Sequence, residues 1–298
     1  LVVAAPLHLV GGLGHATQER LAPGRPWRGP RDHVRTLVLD QRHRDLGDEL
    51  RLVHLVTRAA ADVGELIVQT EERLIPLFQR SFPAVRFISA TAELPQDADT
   101  AWTSYEQLAL FYAHNEELIV DSFQPLTPPP PSGATRRGLG ISWYSKAMYK
   151  CLPSLEDWAG LLRVVPGRVQ SLQYEEGRAG LKDLVQQSGR PVKAARQVDQ
   201  FKDLDGYAGQ VASVRRVLTI SNTTAHMAGA LGIPCVVVLD RESVTTWPEH
   251  VDRSPFYPNT VLIRRESMDW GATLHRGLEL LMQIKPATGS TATRSPEP

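Results

Sequence analysis

This chain is short of the features that mark several common protein classes. It carries two cysteines in 298 residues, Cys151 and Cys235, and neither stands in a C-x-x-C pair. That count argues against a disulfide framework and against structural zinc. Cys235, inside an apolar run, reads as a buried, inert thiol. No apolar run approaches the ~18 residues that a membrane-spanning helix needs. Leu1 to Leu13 is apolar but lacks a basic leader and a small-residue cleavage site, so it reads poorly as a signal peptide. An excess of one charge is also missing, because 33 basic residues offset 33 acidic ones. Neither nucleic acid nor an anionic membrane is therefore an expected partner. There is no Walker loop, no G-x-S-x-G elbow and no His/Asp/Glu cluster with metal-ligand spacing. Gly11-Gly12-Leu13-Gly14 fails as a dinucleotide fingerprint, since Thr17 stands where its last glycine belongs.

What is present is an ordinary globular composition, 42% hydrophobic and 22% charged, long enough for one large or two medium domains. Its most informative stretch is Arg216 to Cys235. An apolar run ends in four small polar residues, Ser221-Asn222-Thr223-Thr224. A short Ala/Gly-rich helix follows, then Gly232-Ile233-Pro234 and a second apolar run, Cys235 to Leu239. This spells strand–turn–helix–strand in a parallel sheet. Open α/β sheets bind ligands at the carboxyl ends of their strands. The turn puts Asn222, Thr223, Thr224 and His226 around a helix N-terminus, where free N–H groups and the positive dipole end suit a phosphate.

The same α/β alternation appears twice. In the first half, Arg35–Asp40, Glu65–Gln69 and Val85–Ser89 read as strands. A helix from Asp48 carries Leu50, Val53, Val56 and Ala60 on one face, and a second spans Glu71–Arg80. The second half restarts at Gly138–Trp143. Helices are expected over 154–164, 205–214 and 269–284, and strands over 168–173, 216–220, 235–239 and 261–264. Right-handed crossovers then give two parallel sheets. The expected organisation is an irregular leader over 1–34, a Rossmann-like unit over 35–124, a stiff proline-rich linker over 125–137, a second unit over 138–285 and a disordered tail over 286–298.

The Ser221–Pro234 run resembles the donor-site motif of heptosyltransferase-like glycosyltransferases, in particular the domain that follows tetratricopeptide repeats in many bacterial proteins. Further similar runs occur in the same order: Leu46-Gly47-Asp48-Glu49, Gly140-Ile141-Ser142-Trp143, Leu152 to Trp158, Ser171-Leu172-Gln173-Tyr174, Asp203-Leu204-Asp205-Gly206 and Ser254 to Pro258. The likeness covers roughly residues 25–285. It implies the GT-B architecture, two Rossmann-like domains facing across a cleft. It also implies a cytoplasmic, inverting, metal-independent transferase without a cofactor, whose donor is a nucleotide-diphosphate sugar. The acceptor is an unknown glycan, lipid-linked or protein hydroxyl. Members carry helical repeats upstream; no repeat is visible here, and the start at Leu1 rather than Met is what a fragment or trimmed product would show.

Glycosyl transfer needs a base for the acceptor hydroxyl and donors for the departing diphosphate. The resemblance assigns the base to Asp48, in the acceptor-side half; a capping carboxylate is the alternative. Relatives have a Glu-Gln-Gly-like run just upstream, where this chain has His43-Arg44-Asp45. On the donor side stand Asn222, Thr223, Thr224 and His226. Asn222 occupies a position that is Asp in heptosyltransferases, so it can hydrogen-bond but cannot act as a base. Ser145 and Lys146 match a phosphate-side loop, Lys146 as a point charge. Gln173 and Tyr174 match a segment facing the nucleotide. Capping for the threonines, solvation for Lys146 and strand-end packing for Gln173 remain open beside these roles. Trp247 to His250 reads as a packed loop, with His250 in reach of the cleft. The competing functions are a catalytically degenerate GT-B module that binds nucleotide sugar or protein, and a nucleotide-sugar epimerase, since fold does not set function.

Overall fold

In the computed structural model, the described residues are 25–40, 45–95, 99–130, 136–147, 150–175, 179–194, 198–241, 247–249 and 251–284. They form two all-parallel sheets. The first contains β1 (Arg25–Pro26), β2 (Thr36–Leu39), β3 (Glu65–Thr70), β4 (Arg86–Ser89) and β5 (Thr100–Thr103), in the order β1-β5-β2-β3-β4. The second contains β6 (Leu139–Ser142), β7 (Val169–Ser171), β8 (Val192–Lys193), β9 (Arg216–Ile220), β10 (Cys235–Leu239) and β11 (Thr260–Arg264), in the order β11-β10-β9-β6-β7-β8. Central strands such as Thr36-Leu37-Val38-Leu39 and Cys235-Val236-Val237-Val238-Leu239 are buried along their whole length. That is the pattern of strands covered on both faces, and it is why they read as unbroken apolar runs.

The helices of the first half are α1 (Leu46–Leu52), α2 (Val56–Ala61), α3 (Ile75–Ser81), α4 (Tyr105–Tyr112) and α5 (Glu116–Asp121). Those of the second are α6 (Leu155–Val164), α7 (Leu181–Ser188), α8 (Leu204–Ala212), α9 (Thr223–Ala230) and α10 (Trp270–Gln283). One apolar core runs from the first sheet through α1 and α3 into α8, α9 and Tyr257. A second core lies on the far face of the second sheet, under α6 and α10. The two halves therefore share a packed interface. It is pinned at its rim by Arg80 of α3, which donates to both carboxylate oxygens of Asp205 on α8 at 2.8 and 2.6 Å.

Several elements differ from the sequence reading. Arg25–Pro26, inside the stretch expected to be irregular, pairs with β5. α1 begins at Leu46, so Asp48 is its third residue and Asp45 is the N-cap. β7 stops at Ser171, two residues short of the expected end. The helix expected over Glu71–Arg80 is a 3-10 turn, Glu72–Leu74, that runs into α3. β5, α4, α5, α7 and β8 are not expected from the sequence reading, although α4 buries Tyr105, Leu108, Ala109 and Tyr112 at helical spacing and α7 repeats Leu181, Leu184 and Val185 in the same way. Of the proline-rich segment, Pro125–Pro130 is described and is held closely. Leu126 is buried and its N–H donates to the Ala230 carbonyl at 2.8 Å, while the Thr127 N–H donates to Ser81 Oγ at 2.9 Å. The leader over 1–24, the His43-Arg44 departure, His250 and the tail from 285 lie outside the described residues.

Candidate active site

In the second sheet the chain runs from β6 outward to β8, then returns to lay β9 on the other side of β6. The loops leaving β6 and β9 diverge at that switch point and open a crevice, the place where open α/β sheets hold ligands. A cavity of about 390 Å³ lies there, closed from the other side by Asp45, the first turn of α1 and Arg73. Its size falls in the range of small-molecule sites, ~300–1,000 Å³. The second half contributes Ser145, Lys146, Lys150, Tyr174, Tyr207 and the turn Ser221–Thr224 with His226; the first half contributes Asp45–Asp48 and Arg73.

The β9–α9 turn is held from within. Asn222 is the N-cap of α9. Its Oδ1 accepts from the Thr224 N–H at 3.0 Å and the Thr219 hydroxyl at 3.3 Å, and its Nδ2 donates to Ser142 Oγ at 2.8 Å and the Tyr144 carbonyl at 3.3 Å. An Asn with both amide atoms engaged sets the turn's shape and has little left for a ligand. Thr224 is buried, its hydroxyl bonded to the Tyr207 hydroxyl at 2.6 Å. Thr223 differs. It lines the cavity half-buried, and among the described residues neither its hydroxyl nor its N–H has a hydrogen-bond partner.

His226 is buried between three groups. It stacks on Trp247 with ring centroids 4.8 Å apart, and its Nδ1 lies 3.1 Å from the Tyr257 hydroxyl. Burial, with the nearby Arg51 and Lys150 charges, pushes its pKa down to about 3. It is therefore neutral. Among the described residues the Tyr257 phenol has no other acceptor; with its O–H donating to Nδ1, the ring proton is assigned to Nε2. A neutral imidazole with a fixed Nε2–H donor thus faces the cavity. Gly47 of α1 makes the contact possible, because a Cβ there would sit 2.9 Å from His226 Cδ2.

The cations sit around this turn. Lys150 donates from Nζ to the Ser221 carbonyl at 2.7 Å, and burial lowers its pKa. Lys146 pairs with Glu175 at 2.8 Å and lies over the Phe201 ring at 4.7 Å. Arg73 pairs with Glu71 at 2.9 Å and donates to the Phe201 carbonyl, bridging the two halves. Across the cavity, Asp48 of α1 receives a hydrogen bond from Arg51 at 2.8 Å on Oδ1. Its neighbour Glu49 is buried and accepts from the Thr70 hydroxyl, which ties α1 to the end of β3.

Of the residues singled out in the sequence, Asp48, Ser145, Lys146, Tyr174, Asn222, Thr223, Thr224 and His226 all line this cavity. Gln173 does not. β7 ends early and the side chain turns inward: Oε1 accepts from Ser142 Oγ and the Trp143 and Tyr144 N–H groups, and Nε2 donates to the Tyr144 and Tyr174 carbonyls. Gln173 braces the β6 loop and has no capacity left for a nucleotide. The sequence reading missed Lys150, Arg73, Tyr207 and Tyr257. Lys150 stands just before the Leu152-Pro153-Ser154 entry to α6, and only that position hinted at the crevice. Tyr257 lies in the Ser254–Pro258 run, which was quoted without a role.

No protein-family model matches the chain. A glycosyltransferase family 9 structure from Veillonella parvula superposes with a TM-score of 0.61, at 10% identity over 84% of this chain and 97% of that one. The fold is that of the heptosyltransferases. Escherichia coli heptosyltransferase WaaC with ADP matches at TM-score 0.53 and 15% identity, over 84% of this chain and all of WaaC. The dodecameric iron-containing glycosyltransferase TibC from enterotoxigenic E. coli matches at 0.54 and 12%, over 85% of this chain and 67% of TibC. In sequence, the chain is 24% identical to protein FlbA of Caulobacter vibrioides over an alignment of 289 residues, covering 85% of this chain. It spans 47% of FlbA's length. The fold is thus the two-sheet GT-B fold of heptosyltransferase-like enzymes, and no described helix is long and apolar enough to cross a membrane.

Proposed function

We propose that this chain is a cytoplasmic glycosyltransferase that moves a sugar from a nucleotide-diphosphate sugar to a hydroxyl of a glycan, lipid-linked or protein acceptor. The observation that carries the reading is the asymmetry of the cavity. One wall offers the α9 N-terminus with the open Thr223 N–H and hydroxyl, the His226 Nε2–H donor and the Lys150 ammonium; the opposite wall offers the Asp48 carboxylate. The first wall suits a diphosphate. The second suits an acceptor hydroxyl that must lose a proton. That ADP occupies WaaC supports a nucleotide donor.

In this reading the acceptor oxygen attacks the anomeric carbon as its proton passes to the free oxygen of Asp48. The bond from that carbon to the diphosphate breaks, and the leaving oxygen keeps the electron pair. One displacement inverts the anomeric centre. Lys150 and the α9 donors stabilise the charge that develops on the diphosphate, as preorganised donors do in other group transfers. That is the role a divalent cation has elsewhere, so turnover should not depend on one. The test is release of nucleoside diphosphate from a panel of nucleotide sugars, with and without chelator. Release that survives chelation and stops in Asp48→Asn supports the reading.

A second reading, a catalytically degenerate module that binds nucleotide sugar or protein, is favoured by one observation: Asp48 Oδ1 is already held by Arg51. Tight donor binding without turnover on any nucleotide sugar would select it.

A further inference from the structure

Arg51 is a cation with almost no exposure, its side chain 2% accessible, under the floor of the cavity. Two of its contacts are of different kinds. Its guanidinium donates to Asp48 Oδ1 at 2.8 Å, within the first half, and it lies 5.0 Å from the centroid of the Phe256 ring, within the second half. Phe256 is buried and precedes Tyr257, whose hydroxyl sets the His226 proton. We infer that Arg51 is a positioning residue for Asp48: it ties one carboxylate oxygen, aims the other into the cavity, and couples that aim to the docking of the two halves through Phe256. The inference rests on the reading of Asp48 as the base.

The physical case is one of geometry. A carboxylate on a short side chain turns freely, whereas one held by a planar guanidinium is fixed in direction. The guanidinium is itself held, because its Cζ lies over an aromatic ring of the opposite half, 5.0 Å from the centroid. A lysine at this position would give a point charge and neither the planar fork nor the stacking face. The other charged or titratable groups facing Asp48 come from every packed element. They are Asp45 at the α1 cap, Lys150 from the β6 loop, Arg73 from the turn before α3, His226 from α9 and Tyr257. Among the described residues, none of these makes a hydrogen bond or ion pair with the Asp48 carboxylate. Arg51 is thus the group placed to orient it.

The experiment is a double-mutant cycle on turnover, read beside donor affinity. Arg51→Met keeps volume and removes the fork. It should lower turnover about 10- to 100-fold, the scale of a slightly misplaced reacting group, and leave donor affinity within about twofold. On an Asp48→Asn background it should cost nothing further, because its partner's role is gone. Millimolar guanidinium should restore part of the turnover of Arg51→Ala but none of that of Arg51→Ala with Asp48→Asn. Phe256→Leu, which leaves both charges in place, should slow turnover several-fold and keep the inference testable if the Arg51 variants fold poorly. Full turnover in both Arg51→Met and Phe256→Leu, or an equal loss from Arg51→Met with and without Asp48, overturns the positioning role alone. Full turnover in Asp48→Asn, or none in the natural chain, overturns the base reading and this inference with it.

Discussion

The two helices that meet at the cavity, α1 and α9, use the same local device for opposite ends. Each begins just past the carboxyl end of a buried parallel strand, and each points its N-terminus into the crevice. α1 fills its own dipole end: Asp48 and Glu49 stand in the first turn, while its cap residue Asp45 makes no side-chain cap bond. α9 has no acidic residue in its first turn and is capped by a neutral, fully engaged Asn222. A helix end that carries carboxylates repels an incoming anion and presents a proton acceptor. One that lacks them attracts an anion. On the proposed function, the difference separates an acceptor side from a leaving-group side in one cavity.

The largest test of that contrast is Asp48→Asn. Turnover should fall about 10²–10⁴-fold, the usual worth of a positioned base, with donor affinity unchanged. The variant's amide oxygen still accepts from Arg51, so thermal stability should move little. Near-normal turnover would remove the distinction between the two helix ends.

A second test concerns the α9 side and pH. Folded His226 titrates near 3 and His54, buried against Phe123 with Nδ1 2.8 Å from the Gln124 carbonyl, near 4, against 6.5 when unfolded. Below pH ~6.5 the unfolded chain binds protons that the folded one refuses, so stability is full above that pH and lost as pH falls. His226 alone should contribute about 2 kcal/mol of loss between pH 7 and 5. Denaturant unfolding of His226→Gln at both pH values should show that part removed; an unchanged pH dependence would mean the ring is solvated.

The third separates two neighbouring threonines. Thr223→Ala should weaken nucleotide-sugar binding by about 1.5–3 kcal/mol through a lost charge-assisted bond. Thr224→Val should spare affinity and instead cost about 1 kcal/mol of stability, because its hydroxyl serves Tyr207. Calorimetry on both decides, and equal effects on affinity would mean the α9 end is less open than its hydrogen bonds indicate. Gly47→Ala, which pushes α1 away from His226, should cost about 1–3 kcal/mol by overpacking. The smallest effect is expected at the rim. Arg80 and Asp205 are each part-exposed, so Asp205→Asn should cost no more than about 1 kcal/mol in thermal unfolding.

Much of this arrangement was legible before any coordinates. Strands β2, β3, β9 and β10 announce themselves as apolar runs ended by polar or charged residues. The turn after β9 reads as a helix start suited to a phosphate, with capping as the alternative use of its threonines. β1 and β8, two residues each, are too short to carry a period, whereas α4 carries one at Tyr105, Leu108, Ala109 and Tyr112 that the reading passed over. Within the site, spacing cannot tell a side chain that faces a cavity from one that faces a brace. Gln173 and Tyr174 are adjacent in sequence, yet only Tyr174 reaches the cavity.

The sequence alone determined two parallel α/β units and the turn chemistry of their two central helices, because local period and capping are short-range effects. Tertiary structure decided which polar groups are spent and which are left open. Asn222 and Thr224 are consumed by Ser142 and Tyr207, more than fifteen residues away or on another strand, while Thr223 is not. It also decided that Arg51 lies beneath Asp48 and against Phe256, and that Tyr257 holds His226 in one tautomer. Arg51 and Asp48 are neighbours on α1, but Phe256 and Tyr257 are distant along the chain from Arg51 and His226. Only the packing of the two halves brings Arg51 onto Phe256, and that packing is a property of the whole core rather than of any motif.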